Sequence, residues 1–558
     1  MLAPHPIAAW QHYARSTCSA VLTTLTGSLL LTACQPKQPQ PEAVDPLTNR
    51  SPHLRLIPDN SLLLLTLATD PQDYRNLNPA SLTSELTDDH LSSLPQLQEE
   101  AYVQEIAPWI GETVDIAILD PALTAAEETI PGMVVTTTTK DATRSTQFLA
   151  DLRQHVSAEE AAIFEDRSRG DVILHVQTNG TPGSQWVTAS FGQSYVALAN
   201  DASLMDQVIA TYQEQQPSIL AQEEFRSLAT DLIEEDTLFF AYLNFQACLS
   251  HPDVQAQIPA TLDASSLAQL EAMQSLGWAG GWHPAGFRVQ TQVNVVPEGI
   301  FKPTEVKAAA SQLIPRLPGQ TLALFSGFNV AQNYQDRLQY LQQDPQASAA
   351  LTDFKAQLLA DTGLDLDQDL LNWMDGEIVL SVQPETVPLM PFLPPLGLVA
   401  MIETSQPEQA RLGLAKLDLL AEQKGLSVQQ QQEQVVWQGP FFPQPLLVRQ
   451  WDGETLILSS SPANLQLILE GSATPLPQTA PFQTVWETLP QSNYGYFLIN
   501  SQEIRRLVQQ QFPQAYTTLK PEVRQMVESL QALGITSYPL DQDSYRVEVL
   551  IHTAIAEE

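Results

Sequence analysis

The sequence contains little cysteine and little positive charge. Its 558 residues include three cysteines, Cys18, Cys34 and Cys248, so a disulfide framework does not hold this fold together. Against 64 Asp and Glu residues there are 26 Lys and Arg residues, which gives a formal charge of −38. Such a chain repels phosphate backbones, so we expect no nucleic-acid partner. The acids are spread along the chain, which favours solubility outside the cytoplasm over a cation-binding role as their explanation.

The common catalytic motifs are also missing. The sequence has no P-loop, no G-x-G-x-x-G, no G-x-S-x-G, no H-E-x-x-H and no C-x-x-C. The nine histidines show no ligand spacing, and Cys248 is interpreted as a small buried side chain. The sequence therefore assigns no catalytic, cofactor-binding or metal-binding residue, and we expect no cofactor.

An uncharged stretch lies close to the N-terminus. Residues 17–33 read TCSAVLTTLTGSLLLTA and follow a segment that carries Arg15 and no acid. The run is short for a membrane span, is rich in Thr and Ser, and has no basic cluster after it. We interpret residues 1–33 as a cleaved signal peptide.

The stretch ends at Leu31-Thr32-Ala33-Cys34, which resembles the lipobox of bacterial lipoproteins. The resemblance implies that Cys34 is the lipidation site and the first residue of the mature chain. Acyl chains contribute about 0.8 kcal/mol per buried methylene, which is enough for stable anchoring when several are attached. An ordinary signal peptide with a chance cysteine is the alternative. We expect an exported protein, bound to a membrane through this lipid, whose body faces the periplasm or the cell exterior.

Proline and glutamine dominate the segment that follows Cys34. Residues 34–57 include five prolines, and this composition favours extended conformations over a packed core. We predict that residues 34–57 form a tether between the membrane and the folded body.

Six segments of the remaining chain recur in the same order about 260 residues later. The pairs are PDNSLLLLTLAT at 58 with PGQTLALFSGFN at 318, PWIGETVDIAI at 108 with NWMDGEIVLSV at 372, GQSYVALANDASL at 192 with GETLILSSSPANL at 453, Phe225 with Phe482, EEDTLFFAYLN at 234 with PQSNYGYFLIN at 490, and FRVQ at 287 with YRVE at 545. We predict two duplicated modules, residues 58–300 and 301–558, joined near residues 297–306. Each module is expected to be α+β, with a mostly antiparallel sheet and helices packed on one face.

The lipobox, the repeated strand openings, the turn at Trp109 and the FFAYLN and YGYFLIN strands resemble a family of exported cyanobacterial proteins, the domain-of-unknown-function 3352 family. The resemblance covers most of residues 55–555. It implies the duplicated architecture and brings no known activity.

Two local patterns suggest binding sites but have simpler interpretations. Asp365, Asp367 and Asp369 alternate as in a calcium loop, yet the glycine and glutamate that an EF-hand requires are missing. We interpret these acids as the cap of a helix that leads to Trp373. Period-two aromatic residues are expected to pack in the core or across strands rather than to line a ligand groove, and they are Trp278, Trp282, Tyr494 and Tyr496.

These observations leave two classes of function. The first is a binding or scaffolding protein of the cell envelope, with an envelope protein or polymer as its partner. The alternative is an envelope polymer hydrolase that uses a carboxylate pair from Glu112, Asp115 or Glu377. The second module carries Val379 in place of Asp115, so at most one module could use that residue.

Overall fold

A computed structural model of the protein describes residues 50–74, 102–121, 131–160, 162–179, 185–257, 270–296, 311–341, 345–385, 395–440 and 444–554, together with residues 267 and 442. The predicted signal peptide, Cys34, most of the tether and the predicted joint at residues 297–306 lie outside the described residues. We call residues 50–296 the first half and residues 311–554 the second half.

The protein is built around one open antiparallel sheet of twenty strands. The ten strands of the first half are β1 Leu63–Ala68, β2 Ile110–Asp120, β3 Gly132–Thr139, β4 Phe164–Arg169, β5 Val172–Gln177, β6 Val187–Phe191, β7 Tyr195–Ala199, β8 Thr237–Asn244, β9 Met273–His283 and β10 Gly286–Val295. Those of the second half are β11 Ala323–Phe328, β12 Glu377–Pro384, β13 Leu396–Glu403, β14 Ser427–Gln431, β15 Gln434–Gln438, β16 Leu447–Asp452, β17 Thr455–Ser459, β18 Tyr496–Ile499, β19 Leu530–Pro539 and β20 Ser544–Thr553.

The two halves have the same strand order. The first runs β4-β5-β6-β7-β3-β2-β1-β8-β9-β10 across the sheet. The second runs β14-β15-β16-β17-β13-β12-β11-β18-β19-β20. Each order ends at a polar, largely exposed edge strand, β4 or β14, which discourages pairing with another chain. The prediction of an α+β fold with an antiparallel sheet is confirmed.

Strands β10 and β20 join the halves at the centre of the sheet. They pair antiparallel, with Gln290 opposite Glu548, Phe287 opposite Ile551 and Val293 opposite Tyr545. Phe287 and Tyr545 are matching positions of the sequence repeat. Exchanging the two strands therefore maps each pair onto another pair, and a local two-fold axis passes between Gln290 and Glu548.

Helices cover both faces of the sheet. Their bounds are α1 Ala142–Glu160, α2 Ala202–Tyr212, α3 Glu223–Leu232, α4 Phe245–Ser250, α5 Pro252–Gln257, α6 Val330–Leu341, α7 Pro345–Thr362, α8 Pro407–Gln423, α9 Pro462–Glu470, α10 Ala480–Thr488, α11 Ser501–Gln511, α12 Pro513–Thr517 and α13 Pro521–Ser529. None of these described helices is long and apolar enough to cross a membrane.

The prediction that helices pack on one face only is wrong. In the first half, Leu64 belongs to a core that includes residues of α2 and α3, whereas its neighbour Leu65 packs against a second core that includes Leu149 of α1. Successive side chains of a strand point to opposite faces, so these two cores lie on opposite sides of the sheet. In the second half, α9 and α10 contribute to one core and α8 to another.

The folded body begins earlier than the sequence suggests. Residues 50–57 belong to the predicted tether, but Pro52–Leu56 form a 3₁₀ turn in which Leu54 and Leu56 are fully buried. Ile57 is fully buried as well, and it accepts a backbone hydrogen bond from Ile219. The apolar residues of this segment enter the core despite the prolines around it.

Candidate functional site

Charged and amide side chains meet across the join between the halves. Arg288 donates from Nε and Nη2 to Glu548 Oε2, at 3.0 and 2.8 Å. Reciprocally, Arg546 donates from Nη1 to Gln290 Oε1 at 3.2 Å. Arg288 and Arg546 are matching positions, so each half gives an arginine to the other, as in an isologous dimer. Burial raises the pKa of Tyr538, whose hydroxyl therefore stays protonated and donates to Glu548.

The fully buried Glu548 is therefore held by arginine and tyrosine donors. These hydrogen bonds link the two halves, so we interpret this cluster as structural.

A buried acid–imidazole pair lies inside the first half. His53 Nε2 is 2.7 Å from Asp115 Oδ2, and both side chains are fully buried. Thr66 donates to Asp115 Oδ1 at 2.5 Å. Among the described residues, His53 Nδ1 has no hydrogen-bond partner, and His53 Nε2 and Asp115 Oδ2 lie in contact without meeting the geometry of a hydrogen bond. This pair is not evident from the sequence, because 62 residues separate its members and the local sequence of neither one marks it.

The second half has a buried acid near this place, Glu377, which matches Thr113 of the first half rather than Asp115. Glu377 accepts from the Ser311 hydroxyl and from the backbone amides of Gln312 and Leu313, at 2.8 and 3.1 Å for the amides. Burial raises the pKa of Glu377 although these donors oppose the shift.

The structure does not bring together the carboxylates of the hydrolase alternative. Asp115 is buried in the first half, Glu377 is buried in the second half, and Glu112 is exposed. Asp115 and Glu377 are thus held separately by their own partners, and the two do not form a catalytic pair.

The aspartates of the calcium-like pattern cap a helical turn, as predicted. Asp365 accepts from the amides of Asp367 and Gln368 at the start of the π-helical turn Leu366–Leu371. Burial alone would raise the pKa of Asp369, but hydrogen bonds from Lys416 and the Asp365 amide hold it below its usual value. The acids are therefore used in local capping and ion pairs.

Two of the four period-two aromatics, Trp282 and Tyr496, make ring contacts that agree with the predicted packing. Trp282 meets Phe287 edge-on at 5.2 Å between ring centroids. Tyr496 is buried against Trp486 at 5.0 Å, and burial raises its pKa to about 12. Cys248 is half-buried rather than fully buried, with its Sγ 3.8 Å from the Leu62 carbonyl oxygen.

A row of exposed apolar side chains crosses four central strands of the second half. We call it the apolar strip, and its members are Phe325, Leu380, Leu396, Leu398 and Phe497. Phe325 pairs with Leu380 on one side and with Phe497 on the other, so their side chains share one face. Leu398 is 63% exposed. Contiguous apolar surface of this kind marks interaction sites in soluble proteins.

The first half covers the same positions. Strand pairing places Leu65, Ile116 and Met133 where the second half has Phe325, Leu380 and Leu398. Met133 is only 2% exposed, because these residues pack in a core with Leu149 of α1 and with Trp186. The strip is not evident from the sequence. The strip lies on the more apolar face of β12, and an apolar face does not by itself tell whether another element covers it.

Comparisons with known proteins give a family and weak structural likenesses. Crystal form III of TP0453 is 10% identical, covers 45% of this chain and 80% of its own, and has a TM-score of 0.25. Crystal form IV is 7% identical, covers 45% and 83%, and has a TM-score of 0.26. TM-scores this low do not establish a shared fold. No curated protein matches the chain.

The family comparison covers nearly the whole chain. The family described as "Protein of unknown function (DUF3352)" matches residues 17–553, which include both halves of the sheet. The chain therefore belongs to the DUF3352 family.

Proposed function

We propose that the protein is a lipid-anchored, extracytoplasmic binding protein of the cell envelope. The uncharged run before Leu31-Thr32-Ala33-Cys34 supports export and acylation at Cys34. The Pro- and Gln-rich residues after Cys34 suit a tether that holds the body away from the membrane. The observation that carries the binding role is the apolar strip of the second half.

The body is proposed to consist of two copies of one ancestral module. Details that recur at matching positions support this. Trp109 Nε1 donates to the carbonyl oxygen of Glu105 at 2.9 Å, and Trp373 Nε1 donates to that of Asp369 at 3.0 Å. Asn244 caps α4 as Asn500 caps α11. The common strand order and the two-fold register of β10 and β20 agree with the same origin.

The copies differ at the proposed binding face. One copy keeps the strip positions covered, and the other presents them to solvent beside α8, so the second half is proposed as the binding copy. A chain with a charge of −38 repels anionic lipid headgroups, which argues against a membrane as the occupant of the strip. We therefore propose a partner protein that offers an apolar patch framed by basic residues.

Replacing Cys34 by Ala is expected to abolish lipid attachment. Cells that express the wild type or Cys34→Ala are fed labelled palmitate, and the label on the purified protein is compared. The wild type should be labelled and the variant should not, because the sulfur is the attachment atom. Equal labelling of the two proteins would show that Cys34 is not the site.

A photocrosslinking residue at position 398 is expected to capture one partner protein of defined mass in intact cells. The same residue at position 173 is the matched control, because Ile173 is an exposed apolar side chain of the first half outside the strip. The crosslink should disappear when Leu380→Asp is added, since a charge placed there must be desolvated on binding. The purified partner should bind the wild type at least about tenfold tighter than Leu380→Asp.

Three results would contradict the proposed binding role. They are equal crosslinking from positions 398 and 173, crosslinks from position 398 only to lipid or to a second copy of this chain, and equal affinity of the partner for the wild type and Leu380→Asp.

A further inference from the structure

Three metal-ligating side chains converge at one end of the first half. They are Asp120, the last residue of β2; His251, which follows α4; and Asp253, in the first turn of α5. One ligand atom from each residue lies within 4.8 Å of the other two. His251 Nε2 is 4.0 Å from Asp120 Oδ1, and His251 Nδ1 is 3.7 Å from Asp253 Oδ2.

Backbone contacts bring these elements together. The Leu62 amide donates to the carbonyl oxygen of Ile118, two residues before Asp120. The Leu62 carbonyl oxygen accepts from the amide of Asn244, whose side chain caps α4. The end of β2 and the start of α4 are therefore both tied to Leu62, which holds these two elements next to each other.

We propose that Asp120, His251 and Asp253 bind a divalent transition-metal ion, with Zn²⁺ as the best fit. Zn²⁺ accepts imidazole nitrogen and carboxylate oxygen at about 2.0–2.2 Å, and three protein ligands leave a position for water. Ca²⁺ and Mg²⁺ prefer oxygen-only sites, so the imidazole selects against them. Because His251 Nδ1 already lies against the Asp253 amide, Nε2 is the nitrogen that would face the ion, and the Asp253 carboxylate, which lies beside Nδ1, must rotate toward it.

Charge and exposure suit a cation that enters from solvent. Two carboxylates neutralise the two positive charges of the ion, and the charge of −38 on the whole chain raises the local concentration of cations. Asp120 is exposed, while His251 and Asp253 are partly buried. The ion can therefore reach the site while His251 keeps a defined orientation, in which its Nδ1 lies 3.4 Å from the Asp253 amide.

The second half lacks this set of residues. Pro384 ends β12 as Asp120 ends β2, and it has no ligand atom. The asparagine caps Asn244 and Asn500 align α4 with α11, which places Leu507 and Gln509 at the positions of His251 and Asp253. The proposed metal site is therefore specific to the first half.

The test is Zn²⁺ binding by the metal-free full chain, measured by isothermal titration calorimetry. We expect one strong site, and His251→Ala or Asp253→Asn should weaken it more than about 100-fold, beyond the usual effect of outer-shell changes. The matched control is His175→Ala. His175 also contacts an aspartate, Asp166, at 2.5 Å, but it is not part of the three-residue cluster, so its replacement should leave the strong site intact.

Cobalt provides a second measurement. Co²⁺ bound to the wild type should give the visible absorption of a low-coordinate site, and this signal should vanish in His251→Gln. Zn²⁺ binding by His251→Ala that equals the wild type would overturn the proposal. The proposal would also be overturned if the wild type bound Zn²⁺ no more tightly than the variants. The cluster would then be only a set of surface charges.

Discussion

Asp115→Ala is expected to lower the free energy of unfolding by about 3–5 kcal/mol, one of the largest effects of any single substitution in this chain. The substitution removes the partner of the fully buried His53, and it removes the acceptor of the Thr66 hydroxyl. Two buried polar groups then lose the contacts that replace water. Chemical denaturation of the full chain measures the change.

The second half shows how the same position can be filled without polar groups. It has Leu313 where the first half has His53, and Val379 where the first half has Asp115, and both are buried. The double variant His53→Leu, Asp115→Val should therefore recover most of the loss, to within about 2 kcal/mol of the wild type, since well-packed apolar residues often replace a buried pair at little cost. The remaining loss comes from the Thr66 hydroxyl, which still lacks its acceptor.

The surface pair of His175 and Asp166 is the control for this prediction. Asp166→Ala removes the same kind of contact at an exposed site and should cost less than about 1 kcal/mol. A stabilising role of the buried pair would be contradicted if Asp115→Ala lowered the free energy of unfolding no more than Asp166→Ala. It would also be contradicted if the double variant were as unstable as Asp115→Ala alone.

Local patterns predicted local structure well. The cap at Asp365 follows from an acid placed just before an apolar helical segment, and the hydrogen bonds involve residues two and three positions away. The α+β class and the antiparallel sheet follow from strands that recur more often than complete βαβ units. The repeat in the sequence agrees with the strand order of the two halves, although it did not reveal how they join.

Features that depend on distant residues were not predictable. The proline-rich composition around Pro52–Leu56 predicts a tether, whereas Leu54 and Leu56 of this 3₁₀ turn become buried only through contacts made by later elements. Both faces of several central strands carry apolar residues, although one face of β12 also carries Glu377, Ser381 and Gln383, so periodicity could not tell whether one face or both carry helices. The side chains of the apolar strip are exposed because no other element of the described chain packs over them, and no local sequence pattern encodes this.

The pairing of β10 with β20 leads to a second prediction, in which introduced cysteines either form a disulfide or do not. If β10 and β20 pair about an axis between Gln290 and Glu548, cysteines directly opposite each other should form a disulfide. Val289 lies opposite Val549, and the axis relates this pair to Thr291 opposite Val547. Opposed residues in antiparallel strands have Cα atoms about 4.5–5.5 Å apart, which lies within the range that a disulfide requires.

The off-register pair Val289→Cys, Val547→Cys is the control. A diagonal displacement of two residues separates the positions by about 7–8 Å, which is too far for a disulfide without movement of the backbone. All variants are made in a background without the three native cysteines, so that only the introduced thiols can react.

The two-fold join of the halves is tested most directly by oxidising these three double-cysteine variants of the full chain and comparing their migration on non-reducing gels. A disulfide would close a loop of about 260 residues and change the migration of the denatured chain. We predict that the 289/549 and 291/547 pairs crosslink to the same extent and that the 289/547 pair does not. Crosslinking of the 289/547 pair, or of only one of the two opposed pairs, would contradict the two-fold join.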